Sequence, residues 1–197
     1  MLSQNKSSSV IYNVGDIQIL KKLILSAKEG DTDAFEVVYE KLYTPLYRYV
    51  MSKCGDTETA NDVCQQAFLK FYSALSTYEP EKSPLAYLFT IAKHLLINQQ
   101  EKKSFTPVEE SFFETHIEEA SSILDDSHIR LLAENINTYL VHLTQDEQDV
   151  IRLYYYGEAT YKEIADTLHK EEVYVRKLKE RGLKKLRALT HHLYENA

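Results

Sequence analysis

Residues 160–187 read TYKEIADTLHKEEVYVRKLKERGLKKLR, and their spacing predicts two helices around a tight turn. Thr160, with Glu163 three residues on, has the form of a capping box, in which each residue satisfies an orphan N–H group of the other. Ile164, Ala165 and Leu168 make a short apolar stripe, which His169-Lys170-Glu171-Glu172 interrupts. At about 100° per residue the second helix puts Val175, Leu178, Gly182, Leu186 and Leu189 on one face. Arg176, Lys177, Arg181, Lys184 and Arg187 fall on the other half, with Glu180 among them. A helix–turn–helix with an apolar back and a cationic front has the geometry for entering a DNA major groove. A solvated cationic face is the plainer explanation, and charge distribution bears on the choice. Lys170 to Arg187 hold eight Lys/Arg against three Glu, a local balance of +5, in a chain whose net charge is −7. Positive charge gathered on one helix of an acidic protein points to a polyanion partner.

The remaining composition sets bounds. A chain of 197 residues can hold one or two small domains with cores of their own. Five Gly, four Pro and little β-branched alternation predict an all-α fold. No apolar run approaches the roughly 20 residues that span a bilayer, so no membrane insertion is expected. The N-terminal MLSQNKSSSV lacks a signal-peptide apolar region, which makes a cytoplasmic location the expectation. Cys54 and Cys64, with no histidine pair nearby, are expected to be buried or idle thiols. The seven His are scattered, and no phosphate-cradling glycine loop, HExxH or nucleophile elbow is present. Neither enzymatic activity nor a cofactor or metal is expected.

Taken in order, residues 1–14 are polar and Ser-rich and are expected to be disordered. Asp16 is expected to cap a helix through Lys28, with Ile17, Leu20, Leu23 and Ile24 inward. The next helix, from Gly30-Asp31 to Gly55, carries Phe35, Val38, Leu42, Leu46, Tyr49 and Val50 at helical spacing. Pro45 is expected to kink or split it. A third helix, from about Asp56 to Tyr78, buries Val63, Ala67, Phe71, Ala74 and Leu75. After the loop STYEPEKSP, Ser83-Pro84 starts a fourth helix with Leu85, Leu88, Ile91, Leu95 and Leu96 inward. Residues 15–103 form one helical domain on this reading. Residues 104–127 form an acidic linker, since 104–128 hold seven Asp/Glu and no Lys or Arg. Residues 128–197 form a second domain of four helices. Its first is HIRLLAENINTYLVHL, and its second is capped by Thr144 with Glu147 and striped by Val150, Ile151, Leu153 and Tyr154.

With both halves in view, the chain resembles a sigma-70 family RNA polymerase sigma factor of the two-domain, extracytoplasmic-function type. ANDVCQQAFLKFY resembles the polymerase-binding helix of that family through Ala60, Asp62, Gln65 and Phe68. SPLAYLFTIAKHLLIN resembles the following helix, with Tyr87 in place of tryptophan and His94 in place of asparagine. LTQDEQDVIRLYYYGEATYKEIADTL and VYVRKLKERGLKKLR resemble the C-terminal helix–turn–helix domain. Order and spacing agree over roughly residues 30–103 and 130–190.

The resemblance implies partners and roles. An outward row of Asp62, Gln65, Gln66 and Phe68 would dock on the β′ clamp helices of core RNA polymerase, and the C-terminal domain would meet the β flap. The loop from Tyr78 to Ser83 and the start of the fourth helix would hold the promoter −10 element as a single strand. Tyr78, Tyr87, His94 and Asn98 would face its bases, and Lys93, Lys102 and Lys103 its phosphates. The last helix would read the −35 duplex through Tyr174, Arg176, Lys177 and Arg181, with Lys184 and Lys185 on the backbone. An anti-sigma factor is a further implied partner.

The chain also departs from the family pattern. NQQEKK stands where arginines are usual, Leu178 where a basic residue is common, Lys179 where an apolar one is, and Glu180 faces outward. Two rivals stay open: a helix–turn–helix regulator acting without polymerase, which has no need for the Asp62-Gln65-Phe68 row, and a degenerate sigma-like interaction protein, which the departures keep alive.

Overall fold

The computed structural model describes residues 14–104 and 138–195, with side chains over 17–99 and 138–189. The N-terminal tail, the acidic linker and nearly all of the helix expected from His128 lie outside the described residues. Among those residues there are helices, turns and no strand.

Four helices build the first half: α1 (Val14–Lys28), α2 (Thr32–Cys54), α3 (Thr57–Ala74) and α4 (Pro84–Ser104), with a 3₁₀ turn at Leu75–Thr77. Their ends follow from local chemistry. Asp31 accepts from the Ala34 N–H and Asp56 from the Thr59 N–H, which caps α2 and α3. Gly55 ends α2 at φ 67°, a left-handed conformation that glycine adopts without steric cost. Ser83 Oγ accepts from the Ala86 N–H at the start of α4, as expected of Ser before Pro84.

Three expectations need correction. The first helix starts at Val14, so Asp16 lies inside it, and Ile17 of the expected inner stripe is exposed. Of the two outcomes expected at Pro45, a kink or a split, the split does not occur, since α2 runs unbroken with Pro45 buried inside it. Along the last helix Leu189 is 36% exposed and is not part of the buried packing that takes in Val175, Leu178 and Leu186.

The second half comprises a helical end at 138–140, then α5 (Gln145–Tyr155), α6 (Tyr161–Leu168) and α7 (Glu172–Glu195). Both capping boxes form, Thr144 with Glu147 and Thr160 with Glu163. The α6–α7 turn pivots on His169 in the left-handed region at φ 52°, where its N–H closes on the Ala165 and Asp166 carbonyls. Glycine is the usual residue for such a C-terminal turn.

The two halves share one core. Val38, Leu42, Tyr49, Phe71, Leu88 and Phe89 belong to the same buried cluster as Val150, Leu153, Ile164, Leu168 and Val175. Helix α4 packs along α6, and α2 touches α5. Polar bonds cross the same seam. Thr167 Oγ1 donates to the Ala86 carbonyl at 3.3 Å, Ser83 Oγ donates to Glu163 at 2.7 Å, and the Arg152 guanidinium donates to the Ser52 carbonyl. Arg48 pairs with Glu158. Buried Asp149 receives Lys53, Lys93 at 3.5 Å and the Gln145 amide at 2.9 Å.

Candidate nucleic-acid interface

On α3, Asp62, Gln65 and Gln66 stand exposed in a row. Phe68 does not join them. It is only 3% exposed and packs on Tyr39 and Tyr43, with ring centroids 4.5 and 6.5 Å away. The apolar members of this face are instead Leu69, 60% exposed, and Tyr72, 48% exposed. Sequence reasoning passed over both, although one step along the helix from Phe68 turns the side chain about 100° toward water.

The loop after α3 is braced by α1. Lys28 donates to the Tyr78 carbonyl at 2.8 Å, and Lys21 pairs with Glu81 at 2.5 Å. Tyr78 is buried, not presented for stacking: its hydroxyl donates to the Lys82 carbonyl at 2.7 Å and its ring meets Phe71 and Tyr87. Burial holds that phenol well above the usual tyrosine range. Tyr87 is half-buried, and Ala74, Thr77, Tyr78, Glu79, Lys82 and Tyr87 line a cavity of about 140 Å³ beside it. That is below the ~300 Å³ at which metabolite pockets begin. His94 and Asn98 are exposed on α4. Lys93 is drawn off by Asp149, and the side chains of Lys102 and Lys103 lie outside the described residues.

Helix α7 has a sharply divided surface. Val175, Leu178, Gly182 and Leu186 are buried, while Tyr174, Arg176, Lys177, Glu180, Arg181 and Lys184 are exposed. Gly182 lets α5 come close, since a Cβ there would lie 2.8 Å from Ile151 Cδ1. Arg176 is held on two sides, by Glu172 at 2.5 Å and by the Tyr161 ring, whose centroid is 4.0 Å from its guanidinium carbon. Lys185 is committed inward: its ammonium sits 2.8 Å from the buried Glu147 carboxylate. Burial pushes that carboxyl up, but Lys185 and the Thr144 N–H and hydroxyl outweigh it and leave the group below the ordinary glutamate value. Lys179 lies over the Tyr154 ring at 3.4 Å and donates to the Tyr161 hydroxyl at 3.0 Å. The cation in an apolar slot is thus accommodated by an aromatic cage.

Cys64 is buried, which pushes its thiol up to about 12. Among the described residues no group of three His, Cys, Asp or Glu side chains could hold a metal, and no helix is long and apolar enough to cross a membrane. What the surface offers is an exposed polar row on one helix and a cationic groove-sized helix on another.

Comparison with known proteins decides the family. The Sigma-70 region 2 model matches residues 38–106 and the Sigma-70 region 4 model matches residues 139–188. The chain belongs to the sigma-70 family. It is similar to the RNA polymerase sigma factor YlaC of Bacillus subtilis, 28% identical over 141 residues that cover 69% of this chain and 80% of that protein. The ECF RNA polymerase sigma factor SigK of Mycobacterium ulcerans is 27% identical over 156 residues, 76% of this chain and 81% of that one. Among solved structures, CnrH in complex with the cytosolic domain of CnrY superposes with a TM-score of 0.67 at 20% identity, covering 88% of this chain and 98% of that one. The sigma factor RpoE of Bartonella quintana, solved with the anti-sigma factor NepR, gives 0.61 at 18% identity over 80% and 96%. In sigma-70 terms α2 to α4 are region 2, and α5 to α7 are region 4.

Proposed function

We propose that this sigma-70 family chain is an alternative sigma factor that binds core RNA polymerase through α3 and directs initiation by holding both promoter elements. Asp62, Gln65 and Gln66, extended by Leu69 and Tyr72, meet the β′ clamp helices. Tyr87, His94 and Asn98 face the single-stranded −10 element, and region 4 rests on the β flap. Tyr174, Arg176, Lys177 and Arg181 enter the −35 major groove, with Lys184 on its backbone. The observation that carries this reading is the separation of surfaces: α3 exposes a polar and apolar row without cations of its own beyond Lys70, whereas α7 exposes Arg176, Lys177, Arg181 and Lys184. A regulator that bound only duplex DNA would have no use for the first surface.

The shared core sets a condition on this function. Helices α4 and α7 both pack on α6, so they lie within about two helix spacings, on the order of 20 Å. Elements centred 10 and 35 nucleotides from the start site are about 25 base pairs apart, on the order of 85 Å of duplex. Both cannot be held while α4 and α6 remain packed, so regions 2 and 4 separate on assembly with polymerase. Separation also releases Lys93 from Asp149.

The chain itself makes and breaks no bonds; polymerase supplies the phosphoryl chemistry. Work in the cytoplasm follows from that partnership. A protein that captures the packed form is a further proposed partner, supported by the description of RpoE in complex with the anti-sigma factor NepR. Run-off transcription on genomic fragments tests the reading. Core polymerase with this chain should give discrete products that core alone does not. DNA binding indifferent to core would favour the regulator, and neither activity would favour a sequestering protein.

A further inference from the structure

Val173 is the apolar side chain that the division of α7 leaves unexplained. It is 65% exposed and belongs to no buried cluster. On the helix it lies almost opposite the buried line of Val175, Leu178, Gly182 and Leu186, and in register with Lys177, Glu180 and Lys184. It therefore stands at the N-terminal end of the middle of the outward face, one residue into α7. In a helix–turn–helix the first turn of the second helix is the part that reaches base edges.

We propose that Val173 is a specificity-determining residue that contacts the 5-methyl group of a thymine in the duplex element α7 enters. The inference rests on the reading of α7 as the −35 helix. The physical case is one of reach and polarity. Lys177 and Lys184 are long enough to find phosphates from that face, whereas valine is short, stiff at χ1 and has no polar atom. Set into a major groove it can touch only the floor, where the thymine methyl is the apolar feature that base edges present. The surrounding cations argue against an apolar protein surface as the occupant, because Lys177 and Arg181 would be stripped of water against it without an anion in exchange.

The test uses the full chain with core polymerase. Duplexes carrying a −35 element are first selected from a randomised pool, and each thymine of the selected element is then replaced singly by deoxyuridine, which removes only the methyl. Competition binding should show one position at which affinity falls about fourfold, the factor that burial of one methyl supplies. With Val173→Ser that position should lose its methyl dependence, while Lys184→Ala should weaken all duplexes alike and keep it. If no position responds to loss of the methyl, or if Val173→Ser retains the response, the proposal is overturned although the −35 reading survives. If no duplex is selected at all, the −35 reading fails and takes this inference with it.

Discussion

Phe89 on α4 occupies the space that a side chain on Gly157, between α5 and α6, would need. A Cβ at Gly157 would lie 2.7 Å from Phe89 Cζ and 2.9 Å from the Leu153 carbonyl oxygen. Phe89 is fully buried, with Tyr49 edge-on at 5.1 Å, so its ring has little room to yield. The absence of one methyl group thus lets region 4 close on region 2.

Gly157→Ala should accordingly strain the seam by about 1–3 kcal/mol, the usual cost of an added methylene in a packed core. Because two domains meet there, part of that strain is relieved by parting them. Small-angle scattering should report a larger radius of gyration for the variant, and thermal denaturation should show earlier loss of the domain contact. An unchanged radius and midpoint would mean that the contact is not the tight one described.

Asp149 is the electrostatic hub of the same seam. Burial pulls the Lys53 ammonium below the usual lysine range, and Asp149 only partly restores it. Asp149→Asn leaves Lys53 and Lys93 without their counter-charge. Removing one partner of a buried pair costs about 3–5 kcal/mol when the other stays buried. Here Lys53 can regain water if the domains part, so opening is the expected response, with a smaller loss of stability within each domain. Binding to core polymerase should then improve, since less interdomain contact must be broken. Weaker binding in a folded Asp149→Asn variant would contradict this.

Acid should loosen region 4 through Glu147. Its folded value lies below the 4.5 of an unperturbed glutamate, so its contribution is fully present above that pH and is lost as pH falls through the folded value. Denaturant midpoints measured from neutral pH downward should fall across that window. Glu147→Gln should start less stable and fall less, because it lacks the Lys185 ion pair at every pH. Parallel curves for the two proteins would remove Glu147 from the account.

The exposed cations of α7 divide by task. Lys184→Ala should weaken all −35 duplexes evenly and lower the salt dependence of log K by about 0.9, as expected for one lost phosphate contact. Arg181→Ala should instead cost about 1–3 kcal/mol on the preferred sequence and little on others. Competition binding at several salt concentrations distinguishes them. Identical behaviour of the two variants would leave no base-reading role for Arg181.

Much of this was legible in the sequence, and the residues show where legibility stopped. Capping boxes such as Thr160 with Glu163 are local, so spacing alone located them. The two-faced α7 was equally plain because charge and apolarity alternate at helical period. Phe68 and Tyr78 are not exposed contacts, because an aromatic inside a helix or in a loop can face either way; Tyr39 and Tyr43, distant in sequence, decide it for Phe68, and Phe71 and Tyr87 decide it for Tyr78. Lys93 and Lys185 looked available for DNA, but their partners Asp149 and Glu147 lie on another helix. The seam was invisible for the same reason. Phe89 and Gly157 each read as ordinary residues, a core aromatic and a helix end, and only their meeting gives them a shared role. Val173 carries no signal in the sequence, because an isolated valine in a cationic helix forms no pattern.

The account depends on a front half that grips polymerase through α3 and a back half that reads DNA through α7. The most direct measurement is the affinity of the full chain for core polymerase lacking its own specificity subunit, compared between Gln65→Lys with Gln66→Lys and Arg181→Ala. Tight binding that the α3 changes abolish and Arg181→Ala leaves intact is the predicted result. No binding by the unaltered chain, or equal binding by all three, would contradict it.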